Sequence, residues 1–118
     1  SLHRSEGFGL TVAESMYLGK PVLSTNWSAT SEFVNRQNGC PVDFELVELE
    51  RNFGPYSKGQ HWANAKIDHA AALMQQLVSD SDFARKIGEE ASQTIRERFA
   101  PGTIGKIYEK RMKSHALW

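Results

Sequence analysis

The first 44 residues alternate helical and strand-like segments, and this alternation constrains the fold more than any other feature. Apolar residues at helical spacing run over residues 9–18, and a glycine and a proline just beyond them are a typical helix stop. Residues 21–25 then form a short apolar strand, and a second strand is predicted at residues 40–44, after an Asn-Gly turn. A helix followed by a short apolar strand, twice over, is typical of a parallel α/β unit.

The two strands are too few for a complete domain. A short helix through residues 32–34 is predicted between them, with Ser28 or Thr30 as its cap. A two-stranded parallel sheet is not a viable core by itself, so further strands are expected upstream of this sequence. We therefore predict the α/β class and a partial Rossmann-like domain, with short parallel strands packed by helices. The chain is expected to be the second half of a doubly wound domain.

Residues 66–118 are predicted to be helical, and residues 44–65 to be a loop-like stretch. Asp68 and Asp80 are the expected caps of the first two helices. The apolar stripe of the first helix is formed by Ile67, Ala70, Ala71, Met74, Leu77 and Val78, that of the second by Phe83, Ile87, Ala91 and Ile95, and that of a last helix by Ile104, Ile107, Tyr108 and Met112. The stripes predict core faces.

The composition excludes several classes of function. The 118 residues include 14 Lys+Arg and 14 Asp+Glu, a formal net charge of zero. This balance argues against a nucleic-acid partner, since such partners are usually bound through an excess of basic side chains. No apolar run approaches the roughly 20 residues of a membrane-spanning helix. The single cysteine, Cys40, is expected to be a small buried apolar residue, and together these features predict a cytoplasmic protein without a transmembrane segment.

Chemistry is concentrated in residues 5–14. Gly7 and Gly9 flank one aromatic residue directly before the first helix. Glycines at such a position let backbone N–H groups approach a ligand, and the helix N-terminus adds a partial positive charge. This combination predicts a site for a phosphate or a diphosphate, although a short Gly-x-Gly alone also occurs in simple tight turns.

Glu14 has an unusual place on the predicted helix. At about 100° per residue it falls between Leu10 and Leu18, outside the polar sector of the helix. A carboxylate on an apolar face is costly unless it is paired or hydrogen-bonded. Two partners remain open at this point, the hydroxyl groups of a ligand such as a ribose, or a basic side chain elsewhere in the protein.

These residues carry a family resemblance. Glu6 and Glu14, seven residues apart around Gly7-Phe8-Gly9-Leu10, resemble the E-x7-E signature of retaining glycosyltransferases of family 4, which have the GT-B fold. Further segments in the same order are also similar to that family: Gly19-Lys20-Pro21-Val22, Glu32-Phe33, Asn38-Gly39, Pro55-Tyr56, Gly59, Trp62-Ala63 and residues 67–74. The resemblance covers about residues 1–95.

The resemblance implies a two-domain enzyme with its active site in the cleft between Rossmann-like domains. Residues 1–118 would be the C-terminal portion of the nucleotide-sugar-binding domain, and the N-terminal domain that binds a sugar, lipid-linked or other acceptor would lie upstream. The full enzyme would transfer a sugar from a nucleotide-diphosphate donor with retention of configuration, without a metal or a cofactor. A non-catalytic nucleotide-sugar-binding or interaction module of the same fold, or a related epimerase, are the alternatives.

The same resemblance implies roles for individual residues. Glu6 would be the catalytic residue, contacting donor-sugar hydroxyls near the reacting carbon. The implied donor-binding residues are Gly7, Phe8, Gly9, Leu10 and Glu14. Backbone N–H groups of Phe8, Gly9 and Leu10 would hold sugar and phosphate oxygens, and Glu14 would take the ribose hydroxyls. The Arg and Lys that complete the diphosphate site in the family cannot be assigned in this sequence.

A few other residues are weaker candidates. His3 and Arg4 precede the motif and could lie near the site. Residues 26–30 stand where the family often has adjacent glycines, and residues 28–30 could contact donor or acceptor. Asp80-Ser81-Asp82 resembles a metal-binding D-x-D motif, but a helix cap explains it better. The aromatic cluster Phe53, Tyr56 and Trp62 is expected to anchor a loop.

Overall fold

The computed structural model describes residues 1–115. Along the chain the elements are α1 (Leu10–Tyr17), β1 (Leu23–Thr25), a 3₁₀ helix (Ser28–Glu32), β2 (Cys40–Val42), β3 (Phe44–Glu48), β4 (His61–Ala65), α2 (Ile67–Ser79), α3 (Ser81–Arg98) and α4 (Pro101–Ser114). The architecture is α/β, as predicted, and the first helix and both predicted strands are present.

The parallel strand pair forms as predicted. β1 and β2 are in parallel register, with Leu23 opposite Cys40. Ser1 lies along the other edge of β1: its amino group donates to the Leu23 carbonyl (2.7 Å), and its carbonyl accepts from the Thr25 N–H (3.1 Å). This is the hydrogen-bond pattern of a parallel neighbour, so β1 has partners on both edges.

Helix α1 ends at the predicted stop signal. Gly19 has a φ of 69°, which is the left-handed conformation that glycine adopts without strain. Its N–H donates to the Met16 carbonyl (2.9 Å), and the N–H of Lys20 donates to the Ser15 carbonyl (3.0 Å). These two bonds form a Schellman motif, which satisfies carbonyls that the helix end would otherwise leave free.

Helix α3 packs on α1 and closes the core. Its predicted stripe is confirmed, since Ile87, Ala91 and Ile95 are buried. Asp80 is its cap, as predicted, and accepts a hydrogen bond from the Phe83 N–H (2.9 Å). The buried apolar cluster between the two helices and the strands comprises Val12, Ala13, Met16, Val22, Phe33, Val34, Ala91 and Ile95.

The prediction of a loop at residues 44–65 was wrong. β3 and β4 form an antiparallel hairpin, with Phe44 opposite Ala65 and Glu48 opposite His61. The prediction failed because four of the five β3 residues are exposed, so the strand lacks the alternation of apolar and polar residues that marks a half-buried strand.

The predicted core face of α2 was also largely wrong. Only Ala70 is buried in this helix, whereas Ile67, Met74 and Val78 have 63%, 60% and 87% of their surfaces exposed. The apolar residues do share one face of the helix, but the described residues supply no layer that covers this face. Asp68 does not cap α2; it lies in the first turn, after the N-cap position.

Two further expectations were corrected. Neither Ser28 nor Thr30 caps the 3₁₀ helix, whose N-cap position is Trp27 without a side-chain hydrogen bond. Helix α4 begins at Pro101, where proline is well tolerated because the first helical N–H groups have no partner in the helix. Its predicted core stripe is not buried, since no residue of α4 is.

Burial of Cys40 leads to a test of the core. The residue is 2% exposed, and burial raises the pKa of its thiol, so the thiolate is disfavoured. We expect a thiol reagent to modify Cys40 at least about 100-fold more slowly in the folded protein than in urea, because reaction requires opening of the fold. Mass spectrometry of the Cys40 peptide measures the rate; equal rates in both conditions would contradict the packing of β2.

Candidate functional site

The loop before α1 depends on its two glycines in different ways. Gly9 has a φ of 90°, and a Cβ placed there would lie 2.6 Å from Cγ2 of Thr30. A side chain at this position is therefore excluded both by backbone conformation and by space. Gly7 faces open space, because a Cβ added to it would meet no other atom within 4 Å. Gly9 thus shapes the loop, whereas Gly7 leaves its surface accessible.

Glu6 folds back over this loop. Its Oε1 accepts hydrogen bonds from the N–H groups of Gly7 (2.9 Å) and Phe8 (3.3 Å). Glu6 as a whole is half-buried, and its carboxylate supplies the negative charge that oriented backbone N–H groups attract. The Phe8 N–H is one of the groups that the family resemblance assigns to the donor, so a donor oxygen bound there would replace or share this bond.

Phe8 anchors the loop through its side chain. Its ring lies 5.5 Å, between centroids, from each of the rings of Phe33 and Phe99, and those two rings are 5.7 Å apart. Such tilted and edge-to-face contacts are favourable arrangements for aromatic rings. The side chain of Phe8 therefore packs in the fold, while its backbone faces the loop surface.

The positive end of the α1 dipole is not neutralised by side chains of the helix itself. No side chain caps it, and its first turn contains no acidic residue. The N–H groups of the first turn have no intrahelical acceptor, and they carry the positive end of the helix dipole. Together with the open surface at Gly7, this geometry suits an anionic ligand.

Glu14 lies on the same helix but on an open face. It is exposed, and Leu10 and Leu18 on either side are 66% and 69% exposed. The apolar sector inferred from the helical wheel exists, but the described chain does not bury it. The cost of burying an unpaired carboxylate therefore does not arise here, and the ribose-binding role of Glu14 has its support in the family pattern.

The 3₁₀ helix is joined to the loop by side chains that the sequence did not mark as a group. Nε2 of His3 is 2.9 Å from the Trp27 carbonyl and 3.3 Å from Oγ1 of Thr30. Oγ of Ser28 accepts from the Glu6 N–H (3.2 Å) and donates to the Glu6 carbonyl (2.6 Å). His3 therefore binds protein groups on its Nε2 side, and Ser28 holds the backbone of the motif.

Arg4 is directed to the hairpin and not to the loop. Its guanidinium carbon lies 4.6 Å from the centre of the Trp62 ring, a cation–π contact, and its carbonyl accepts from the Ala63 N–H (2.9 Å). The rings of Phe53 and Tyr56 pack against Trp62 at 5.1 and 6.0 Å. As predicted, this aromatic cluster anchors a loop, the one that connects β3 and β4.

Two concave regions lie away from the motif. One groove of about 470 Å³ lies between residues 35–38 and α3, and another of about 550 Å³ lies beside the hairpin; neither includes residues 6–14. Within residues 1–115, no group of three or more His, Cys, Asp or Glu side chains could hold a metal ion. In the same part of the chain, no helix is both long and apolar enough to cross a bilayer.

The chain matches a known protein family. Residues 1–94 match the family model described as glycosyl transferases group 1, and the chain belongs to that family. The short parallel strands packed by helices are thus a partial Rossmann-like unit of the GT-B type. The chain is also 26% identical over 94 residues to a trehalose synthase of Rubrobacter xylanophilus, an alignment that spans 80% of this chain and 17% of that relative. No solved structure matches the chain.

Proposed function

We propose that this chain supplies part of the donor site of a retaining glycosyltransferase of family 4. The observation that carries the proposal is the Glu6–Leu10 loop at the uncapped N-terminus of α1, in a chain of the glycosyl transferases group 1 family. The loop exposes backbone at Gly7, and the first turn of the helix offers N–H groups and a positive dipole end. These features suit a nucleotide diphosphate.

In this proposal the chain forms the C-terminal portion of a nucleotide-sugar-binding domain. The trehalose synthase relative is much longer than the 94 aligned residues, since they span 17% of it. The open apolar faces of α1 and α2 would be covered by the rest of the full-length protein that contains this chain. The acceptor would bind to a second domain across the cleft from the loop.

The reaction would be driven mainly by electrostatics. When the bond between the anomeric carbon and the diphosphate breaks, negative charge grows on the leaving oxygen. N–H groups fixed in place at the start of α1 would stabilise that charge without needing to reorganise. Glu6 would contact hydroxyls of the transferred sugar near the reacting carbon, and Glu14 would hold the ribose. No step in this scheme requires a metal or a cofactor.

The proposal is tested by a donor panel on the full-length protein. UDP-, GDP-, ADP- and dTDP-glucose are compared by ligand-observed NMR, with glucose and oligosaccharides as acceptors. We expect one of these α-linked donors to bind and to yield an α-linked product, identified by the coupling constant of its anomeric proton. A β-linked product would overturn retention. Failure of every donor to bind would contradict the donor site and favour the interaction-module alternative.

Replacement of Glu14 by Ala tests the ribose contact. We expect the KM for the donor to rise about 10- to 100-fold, the effect of losing hydrogen bonds to a charged acceptor, with a much smaller change in kcat. Glu89→Ala is the matched control, because Glu89 is an exposed helical glutamate that pairs with Arg85 on α3. An unchanged KM for Glu14→Ala would remove Glu14 from the site.

A further inference from the structure

Ser28 has a conformation that calls for an explanation. Among the non-glycine residues described, it is the one with a positive φ, of 65°. The left-handed region is unfavourable for residues with a Cβ, and such strain persists only where surrounding contacts hold it. The side chain of Ser28 makes its hydrogen bonds to the loop before α1 and not to its own helix.

The hydroxyl of Ser28 is used in an unusual way. A serine at the start of a helix commonly caps the free N–H groups of that helix, yet no side chain caps this 3₁₀ helix. Instead, the hydroxyl accepts from the Glu6 N–H (3.2 Å) and donates to the Glu6 carbonyl (2.6 Å), across 22 residues of sequence. One oxygen thereby fixes both polar backbone groups of Glu6.

Contacts from Ala29 and Thr30 also hold the loop before α1 in place. The Ala29 N–H reaches the same Glu6 carbonyl at 3.4 Å, and the methyl group of Thr30 fills the space where Gly9 lacks a Cβ. Thr30 is fully buried, so this side of the loop has a rigid support. The backbone of Glu6 is therefore held in place, and its carboxylate accepts hydrogen bonds from the N–H groups of Gly7 and Phe8.

We propose that Ser28 is a positioning residue for Glu6, an inference that rests on the proposed role of Glu6 in sugar transfer. The left-handed conformation of Ser28 directs its hydroxyl to the Glu6 backbone and thereby sets where the Glu6 carboxylate lies. Displacement of a reacting group by about 1 Å can lower a rate about 100-fold. Ser28 thus affects turnover through Glu6 without contacting the donor.

Ser28→Gly separates positioning from stability. Glycine removes the hydroxyl and its two hydrogen bonds but accepts the positive φ without strain. Because these effects oppose each other, the unfolding temperature should change little. We expect kcat in the full-length protein to fall about 10- to 100-fold, with the donor KM within about threefold of wild type. Ser31→Ala is the matched control, because the Ser31 hydroxyl lies in the same 3₁₀ helix and donates to the Ser28 carbonyl (2.7 Å), not to Glu6.

Hydrogen exchange of the segment 5–9 gives a readout that does not need activity. We expect faster exchange at the Glu6 amide in Ser28→Gly and unchanged exchange in Ser31→Ala. Unchanged exchange, or unchanged kcat in Ser28→Gly, would overturn the positioning role. If exchange responds as expected but the wild-type protein turns over none of the four nucleotide sugars, the proposed transfer function fails while the Ser28–Glu6 contact stands.

Discussion

Replacement of Glu6 by Ala should lower kcat for sugar transfer by about 100- to 1000-fold, the range seen when one preorganised electrostatic contact to a transition state is removed. Glu6 is the acidic side chain of the loop, and its carboxylate lies on the N–H groups of Gly7 and Phe8. The substitution removes the anion that organises the loop, and with it the proposed contact to the donor sugar. Steady-state kinetics of the full-length protein, with the donor identified from the panel, measure the effect.

Glu6→Gln is the control that separates these two contributions. The amide oxygen of glutamine can still accept from the Gly7 and Phe8 N–H groups, so the loop conformation and the unfolding temperature should be retained. The negative charge is lost, so kcat should remain low. A Glu6→Gln protein with wild-type kcat would show that the carboxylate charge has no catalytic role, and an active Glu6→Ala protein would favour a non-catalytic binding module.

Gly88→Ala should destabilise the fold by about 3 kcal/mol, at the upper end of what overpacking a core costs. A Cβ on Gly88 would lie 2.2 Å from the Gly19 carbonyl oxygen, which is backbone and cannot rotate away. Helix α3 would have to move away from the end of α1, and the buried cluster that includes Met16 and Ala91 would open. Urea unfolding followed by circular dichroism gives the change in the free energy of unfolding.

Gly105→Ala is the matched control for this substitution. Gly105 lies within α4, and a Cβ there would meet nothing within 4 Å. The higher helix propensity of alanine should make this change neutral or stabilising by up to about 1 kcal/mol. The same gain acts in Gly88→Ala, so the difference in stability between the two variants reports the cost of the clash. Equal stability of the Gly88→Ala and wild-type proteins would contradict the close approach of α1 and α3.

The elements that sequence predicted well carry their own signals. Helix α1 has a glycine at each end, and α3 has a capping aspartate before an apolar stripe that is buried. The hairpin has no comparable signal, because most of β3 is solvent-exposed and the pairing with β4 spans residues far apart in sequence. The face of α2 was mispredicted because periodicity shows which residues share a face, and not whether another layer covers it.

For the candidate site, too, one part could be predicted from the sequence and another part is shown only by the fold. The spacing of Glu6 and Glu14 around the two glycines is a local pattern and was visible in the sequence. The contact of Ser28 with Glu6 was not, since it depends on a backbone φ of 65° and on a bond across 22 residues. Similarly, the rings that hold Phe8 come from residues distant in sequence, so only the fold shows that Phe8 is an anchor.

The most direct test of the donor site is a crystal structure of the full-length protein with its nucleoside diphosphate bound. We expect diphosphate oxygens to accept hydrogen bonds from backbone N–H groups of Gly9 and Leu10 at the start of α1, and the Glu14 carboxylate to accept from the ribose hydroxyls. A nucleotide bound elsewhere, with residues 6–14 free of contact, would contradict the account.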